Sequence, residues 1–328
     1  MNIIFDYDLS FAPEVFQRLA ETGIRVVYVF DYWHRHEPEP GRYDFHELVR
    51  YANVCRSAGL KMLLQTPIGS PLWMDESFYL YDECGHNSRH SDWVRLGPTH
   101  ETGVMASRIP SYWHREAEEY TANYIQAIRC AIEPLGVTCI PNIGAFGEFM
   151  FPSTFFWFHK TRPTSPWWFD VEARKLWKDR DPVEWFREER GRIIVKRLAY
   201  YRGQWTQFIP YHDSWENWRL GNIGVTEALE KYAPHLKTIL FTVFLHGEHL
   251  PVMAEQQARR FPAWGGAEGC ANVVAHTKRA LDLGLKGTLC RLIDPGVDEP
   301  AVPEWKYEAL KTANGLFSEE DDKDIDFD

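Results

Sequence analysis

Short runs of β-branched and aromatic residues alternate with amphipathic stretches along this chain of 328 residues. Near the start, Asn2–Tyr7 predicts a strand, Pro13–Thr22 a helix and Ile24–Asp31 a second strand. Tyr43–Gly59 then predicts a helix and Lys61–Thr66 a third strand. This order is typical of βα units that form a parallel sheet.

The same alternation continues less regularly toward the end of the chain. Ser111–Leu135 predicts a long helix and Val137–Ile143 a fourth strand, and helical periodicity returns at residues 192–205 and 225–232. Three later strands are predicted at Leu236–Leu245, Phe261–Gly266 and Lys286–Ile293. These make seven strands, and an eighth is expected between residues 182 and 235.

Pattern and length together predict the α/β class and, within it, a (β/α)8 TIM barrel. A barrel of about 250 residues with insertions fits a single catalytic domain over residues 1–317. Residues 151–181 have little periodicity and many aromatic side chains, so they predict a loop insertion over the C-terminal face. Residues 318–328 contain seven acids and one lysine, which predicts a disordered acidic tail.

Composition and charge indicate which partners and which location to expect for the protein. The formal net charge is -11, and a protein that neutralises phosphates needs clustered Lys and Arg, so no nucleic-acid partner is expected. No apolar run reaches 18 residues and no basic region precedes an apolar stretch at the start, so we expect no membrane span and a cytoplasmic protein. Six cysteines without CxxC spacing predict reduced thiols, and the oligomeric state stays open, a homo-oligomer included.

Two glutamates combine an apolar, strand-like approach with a glycine-rich and aromatic setting. Glu148 lies in Ile140-Pro-Asn-Ile-Gly-Ala-Phe-Gly-Glu-Phe-Met-Phe-Pro152, and Glu268 lies in Phe261-Pro-Ala-Trp-Gly-Gly-Ala-Glu-Gly269. Cleavage of a glycosidic bond requires one carboxyl group as general acid and a second as nucleophile or base. Apolar surroundings raise a carboxyl pKa, as a general acid requires. The pair therefore predicts a catalytic site for a carbohydrate substrate.

Other candidate side chains follow from the rule that a barrel collects its functional groups at the C-terminal ends of its strands. Aromatic rings there could stack on sugars, and polar groups could bind hydroxyls, although packing and structural ion pairs are the competing interpretations. The predicted substrate-binding residues are Asp6, Trp33, Trp73, Asn142, His246, Trp264 and Arg291. Arg291 has a second predicted role, which is to keep Glu268 ionised.

A metal site is the weaker interpretation of His246-Gly-Glu-His249. Imidazole and carboxylate are common ligands of zinc and iron, but the two histidines are three residues apart rather than four and are followed by Leu-Pro. No metal and no cofactor are therefore predicted. Glu248 remains the alternative to Glu268 as the second carboxylate.

Several motifs resemble known glycosidases. Trp33-His-Arg-His-Glu-Pro-Glu-Pro-Gly-Arg-Tyr-Asp-Phe45, with Gln65-Thr-Pro-Ile-Gly-Ser-Pro-Leu-Trp73, resembles the opening of glycoside hydrolase family 42, the β-galactosidase barrels of clan A. Gly147-Glu-Phe-Met-Phe-Pro-Ser153 is similar to the general-acid signature of family 14, the β-amylases. Gly266-Ala-Glu-Gly-Cys-Ala271 is similar to their general-base signature.

The resemblance implies a glycoside hydrolase with a Glu/Glu pair that retains configuration and acts on a β-linked galactoside, glucoside or oligosaccharide. One departure from clan A is Gly147, where an asparagine is expected before the acid. Three alternatives stay open: a β-amylase-like inverting α-glucan hydrolase, a non-catalytic polysaccharide-binding barrel, and a metal-dependent enzyme using His246 and His249.

Overall fold

The computed structural model describes the chain in segments. They comprise residues 1–6, 9–83, 85, 87–88, 108–142, 168–201, 205–208, 237–240, 264–267, 269–293 and 301–317. Every structural statement below refers to these residues. Glu148, His246, Glu248, His249 and Glu268 lie outside them, as does the acidic tail.

All eight strands within the described residues are short and run parallel to their neighbours. They are β1 (Ile3–Asp6), β2 (Val26–Tyr32), β3 (Lys61–Ile68), β4 (Thr138–Pro141), β5 (Trp205–Phe208), β6 (Lys237–Leu240), β7 (Gly265–Ala267) and β8 (Thr288–Arg291). The strand predicted between residues 182 and 235 is confirmed as β5.

The order of the strands is that of a barrel. Six strands pair in the order β4-β3-β2-β1-β8-β7, while β5 pairs with β6 and also contacts β4. The first strand thus lies between the second and the last, with Ile3 opposite both Val26 and Leu289. The predicted TIM-barrel arrangement is confirmed by this order and by the helices that alternate with the strands.

The helices of the described residues mostly connect successive strands. They are α1 (Pro13–Glu21), α2 (Trp33–His36), α3 (His46–Ser57), α4 (Arg115–Ile132), α5 (Val171–Trp177), α6 (Pro182–Leu198), α7 (Val273–Asp282) and α8 (Glu304–Asn314). None of them is both long and apolar enough to span a membrane.

Local sequence signals explain several helix boundaries. Gly23 and Gly59 follow α1 and α3 with φ of 86° and 75°, a conformation that glycine adopts without steric cost. Asp44 lies two residues before α3, and its carboxylate accepts the His46 N–H at 3.0 Å. Asp181 caps α6 by accepting the Val183 and Glu184 amides.

Alternation along the strands divides the core into two layers. One cluster lies in the barrel interior and includes Ile3, Phe5, Tyr28, Phe30 and Leu289. The other lies between the sheet and the helices and includes side chains of opposite parity on the same strands, such as Ile4, Val27, Val29 and Cys290. Because successive side chains of a strand point to opposite faces, parity assigns each strand-end residue to the barrel interior or to the outer layer.

Two predicted boundaries differ from the structure. Helical periodicity was expected over residues 192–205, but α6 ends at Leu198 and Trp205 already begins β5. The described part of the predicted loop insertion, residues 168–181, contains the helix α5. This helix begins because Asp170 accepts the amides of Glu172 and Ala173, both at 3.1 Å.

Candidate active site

Arg291 ends β8 at the C-terminal face of the barrel. Arg291 is two residues after Leu289 on the same strand, so it is on the same face as Leu289, which lies in the barrel interior. It also pairs in register with Phe5, another interior residue. The guanidinium is therefore carried by an interior-facing position at the strand end. On the neighbouring strand, Ala267 of β7 is opposite Cys290, the residue that precedes Arg291.

A buried carboxylate that was not among the predicted site residues lies at the end of β2. Asp31 is fully buried and accepts hydrogen bonds from the hydroxyls of Thr66 at 2.5 Å and Tyr124 at 2.9 Å. The Nε2 atom of His36 lies 3.4 Å from Oδ1 of Asp31, which also accepts from Tyr124. Burial raises the pKa of Asp31, and the nearby imidazole and hydroxyls oppose that shift.

Asp31 is a structural anchor, because every group around it comes from a different element. Thr66 belongs to β3, Tyr124 to α4 and His36 to α2, so the carboxylate joins three elements to β2. The sequence could have indicated this role, because Asp31 is the one acid in a strand of apolar residues. It also alternates with Val27 and Val29, so all three are on the same face of β2. The parity places its side chain behind the sheet rather than in the barrel.

The predicted sugar platform Trp33 lies in the outer layer. It is fully buried, and its ring stacks on Tyr124 with the centroids 4.8 Å apart. Its indole N–H donates to Glu37, whose carboxylate also accepts the Gly41 amide at 2.7 Å and so holds the turn after α2. In this conformation no face of Trp33 is open to a sugar, because the ring fills a packing position.

Trp73 is partly buried beside the same turn. Its indole N–H donates to the backbone carbonyl of Glu37 at 2.9 Å, and its ring meets Tyr120 edge to face at a centroid distance of 5.0 Å. This bond connects the segment after β3 to the segment after β2. Trp73 therefore stays a prediction for stacking on a sugar ring, with its indole held by a hydrogen bond to the backbone.

Asp6 fixes the loop that leaves β1. Its carboxylate accepts the backbone N–H groups of Ser10 and Phe11, the Ser10 hydroxyl and the Tyr51 hydroxyl. It is 3% exposed, so its oxygens are directed toward these donors. These hydroxyl and amide donors favour the structural interpretation of Asp6.

Asn142 directly follows β4 at the barrel rim. Its backbone N–H donates to Thr66 and its side-chain amide donates to the Pro67 carbonyl at 2.7 Å. It also lines a cavity of about 20 Å³, enough for one water molecule, together with Trp33, Tyr112, Thr121 and Arg197. Polar groups and an aromatic ring thus meet beside the position from which the chain continues toward Glu148.

The prediction that Trp264 lies at the C-terminal end of its strand is wrong. The strand is Gly265–Ala267, so Trp264 precedes it and lies at the N-terminal end of the barrel. Its ring is fully buried in the interior cluster, and its indole N–H donates to the Met1 carbonyl at 3.1 Å. The apolar run that begins at Phe261 suggested an earlier strand, whereas β7 is formed by small residues that give no hydrophobic signal.

His34 of α2 carries a polar atom without a partner. Its Nδ1 is buried and makes no hydrogen bond, and its ring meets Tyr32 at a centroid distance of 6.2 Å. Burial lowers the His34 pKa to about 4, and the positive charges of Arg35 and Arg108 contribute to the shift. The ring is therefore neutral near pH 7. Among the described residues no group of acids, histidines and cysteines is arranged to hold a metal ion.

The chain is similar to a family model over part of its length and to solved structures. Residues 7–102 match the family model of glycoside hydrolase family 42, described as beta-galactosidase. The catalytic domain of beta-amylase from Paenibacillus polymyxa has a similar fold, with a TM-score of 0.69 and 10% identity over 95% of this chain and 97% of that one. The beta-galactosidase of the psychrophilic Marinomonas ef1 matches with a TM-score of 0.39 and 14% identity, over 83% of this chain and 41% of that one.

The family match covers the segment whose motifs resemble family 42, so that resemblance is confirmed over residues 7–102. The similarity to the beta-amylase domain extends the barrel fold over nearly the whole chain. The class is that of a TIM-barrel glycoside hydrolase, and a carbohydrate substrate follows from it.

Proposed function

We propose that this glycosidase cleaves a β-linked galactoside or glucoside with retention of configuration, using Glu148 as general acid and Glu268 as nucleophile. The main support is the register of β7 and β8. Ala267, the last residue of β7, is opposite Cys290, and the residues that follow these two in the sequence are Glu268 and Arg291. Extending this pairing by one residue would give the Glu268 carboxylate an arginine as its neighbour on the adjoining strand.

That neighbour suits the chemistry of a nucleophile. A cation within a few ångströms favours the ionised form of a carboxylate. A nucleophilic glutamate must be ionised while the general acid must be protonated, so the two need different surroundings. In the proposed site, Arg291 would favour the ionised form of Glu268. The apolar and aromatic residues next to Glu148 in the sequence would favour the protonated form of Glu148.

In the proposed reaction, Glu148 donates its proton to the glycosidic oxygen as that bond breaks. The Glu268 carboxylate attacks the anomeric carbon and forms a glycosyl ester. Glu148, now ionised, then removes a proton from water, which attacks the anomeric carbon and releases Glu268. The match to a beta-galactosidase family over residues 7–102 supports a β-galactoside as the first substrate to test.

The test is turnover of an aryl β-galactoside by the intact protein and by Glu148→Gln and Glu268→Gln, with Glu47→Gln as an exposed control. Both active-site variants should lose most of the activity, and the first anomer in the NMR spectrum should be β. Glu268→Ala with azide should release a glycosyl azide of inverted configuration. Full activity of Glu268→Gln would refute the assignment and make Glu248→Gln the next variant.

An inverting α-glucan hydrolase is the second candidate. It is favoured by the likeness of Gly147-Glu-Phe-Met-Phe-Pro-Ser153 to the β-amylase signature and by the shared fold of the beta-amylase domain. Turnover of maltooligosaccharides with release of the β anomer, and none of β-galactosides, would replace the first proposal with this one. No turnover of either class would favour the non-catalytic barrel.

A further inference from the structure

Two buried thiols are in contact behind the ends of β7 and β8. The Sγ atoms of Cys270 and Cys290 are 3.7 Å apart, and the side chains are 3% and 0% exposed. Both sulfurs also lie near the Arg291 carbonyl oxygen, Cys270 at 3.3 Å and Cys290 at 3.5 Å. The sequence spacing of 20 residues gives no indication of this pairing.

The two cysteines differ in how firmly the backbone holds them. Cys290 lies in the middle of a ladder, opposite Ile4 of β1 and Ala267 of β7. Cys270 begins a single 3₁₀ turn, Cys270–Asn272, immediately after the extended Gly269. A short turn after a glycine can shift more easily than a strand paired on both sides, so Cys270 is the partner that can move.

We infer that Cys270 and Cys290 form an oxidative modification site, a dithiol that a hydroperoxide converts to a disulfide. The Cys270 thiolate attacks one peroxide oxygen, the O–O bond breaks, and the products are a sulfenic acid and an alcohol or water. The Cys290 thiol then attacks the Cys270 sulfur and displaces the hydroxyl group as water. Two thiols and one hydroperoxide thus yield one disulfide, one water and one alcohol or second water.

The required displacement is small. A disulfide needs an S–S distance of about 2.05 Å, so the two sulfurs must approach by less than 2 Å from their separation of 3.7 Å. Closure also removes both S–H groups that face the Arg291 carbonyl. The bond would therefore change the contacts of the strand end that carries Arg291 and pull on the segment from Ala267 to Cys270.

That segment contains Glu268, so a consequence for catalysis rests on the proposed function. A displacement of about 1 Å at a catalytic group can cost up to about 100-fold in rate, and we expect the oxidised protein to lose about 10-fold or more in kcat. Reduction by a thiol should restore it.

The primary test is the mass of the intact protein and its non-reduced peptides after stoichiometric hydrogen peroxide. We expect the loss of two hydrogens and a crosslinked peptide joining Cys270 to Cys290. Cys270→Ser should prevent the crosslink, while Cys130→Ser, which changes an exposed thiol, should leave it unchanged. Thermal unfolding of each variant checks that its fold is intact, and Cys270→Ala is the substitute if the serine destabilises the protein.

The outcomes separate this inference from the proposed function. A native protein that stays fully reduced, or that forms only sulfinic acid at Cys270, would overturn the dithiol assignment whatever its activity. A Cys270–Cys290 crosslink in a protein without glycosidase activity would support the modification site and refute the function. A crosslink that leaves kcat unchanged would overturn the link to catalysis alone.

Discussion

The hydroxyl of Tyr124 on α4 donates to the carboxylate of Asp31 at the end of β2, within 2.9 Å of both oxygens. Tyr124 also stacks on Trp33, the residue that begins α2. One tyrosine thus connects a helix of the outer layer to the rim of the barrel by a hydrogen bond and by a ring contact.

Replacing Asp31 by Asn should destabilise the protein. The Asn side chain keeps one acceptor oxygen, but an NH₂ group replaces the other. This NH₂ group cannot accept a hydrogen bond from the hydroxyl of Thr66 or Tyr124, or from the His36 ring. We expect a loss of about 2 to 4 kcal/mol in the free energy of unfolding, measured in urea. Asp75→Asn, at the start of an exposed 3₁₀ turn, is the control, and an equal effect of both variants would contradict the anchoring role.

His34 should make the protein sensitive to mild acid. Its pKa is about 4 in the folded state, against 6.5 for an unperturbed histidine, so the unfolded chain binds more protons between these values and folding stability falls as the pH drops from 6.5 to 4. His34→Gln should remove about 1 to 3 kcal/mol of that loss. Urea titrations at pH 7 and pH 5 measure it, with the exposed His46→Gln as the control.

Arg291→Lys should distinguish the contribution of the positive charge at the proposed site from that of the arginine hydrogen-bond geometry. Lysine keeps the positive charge but not the planar fork of donors. We expect kcat to fall by about 10-fold with the fold intact, and Arg291→Met to lose more and to shift the acidic limb of the pH–rate profile upward, because Glu268 would lose a stabilising cation. An unchanged profile in Arg291→Met would contradict this role.

Trp264→Phe should affect stability and leave substrate binding unchanged. The ring lies at the N-terminal end of the barrel, and phenylalanine removes the hydrogen bond to the Met1 carbonyl. We expect a loss of about 1 to 3 kcal/mol in unfolding free energy and an unchanged KM. A raised KM with unchanged stability would restore the original prediction for this residue.

Gly287→Ala should be far more damaging than an alanine substitution at another glycine of positive φ, Gly136. A Cβ at Gly287 would lie 2.1 Å from the Met1 carbonyl oxygen, whereas a Cβ at Gly136 meets no atom within 4 Å. Both residues have positive φ, so Gly136→Ala should cost about 1 to 2 kcal/mol from backbone strain alone. Gly287→Ala should add a steric cost, measured as a much lower midpoint of thermal unfolding.

Hydrophobic pattern predicted the strands that are bounded by turns and rich in Val, Ile and Phe. It identified β1, β2 and β3 to within a few residues because those strands are buried on both faces and read as continuous apolar runs. It misplaced β7, whose residues Gly265, Gly266 and Ala267 carry no hydrophobic signal. Backbone pairing with β8, rather than side-chain burial, defines that strand.

For the candidate site, too, the sequence predicted positions at strand ends but not the contacts between residues that are distant in the chain. Strand-end position was enough to predict Arg291 and Asn142 at the rim, because Arg291 ends one well-marked strand and Asn142 directly follows another. Position could not show that Trp33 packs on Tyr124, since the partner lies 91 residues away in the chain. Nor could it reveal the environment of Asp31, which is built from β3, α2 and α4.

The strand order has a consequence for how the chain is synthesised. β1 is paired with β8, and Ile3 and Leu289, which are opposite each other, are 286 positions apart. One edge of β1 therefore has no native partner until almost the whole barrel has left the ribosome, and an unpaired edge is a template for wrong association. Such non-local pairing slows folding. Production of the protein should accordingly benefit from slow translation at low temperature and from chaperones that shield open strand edges.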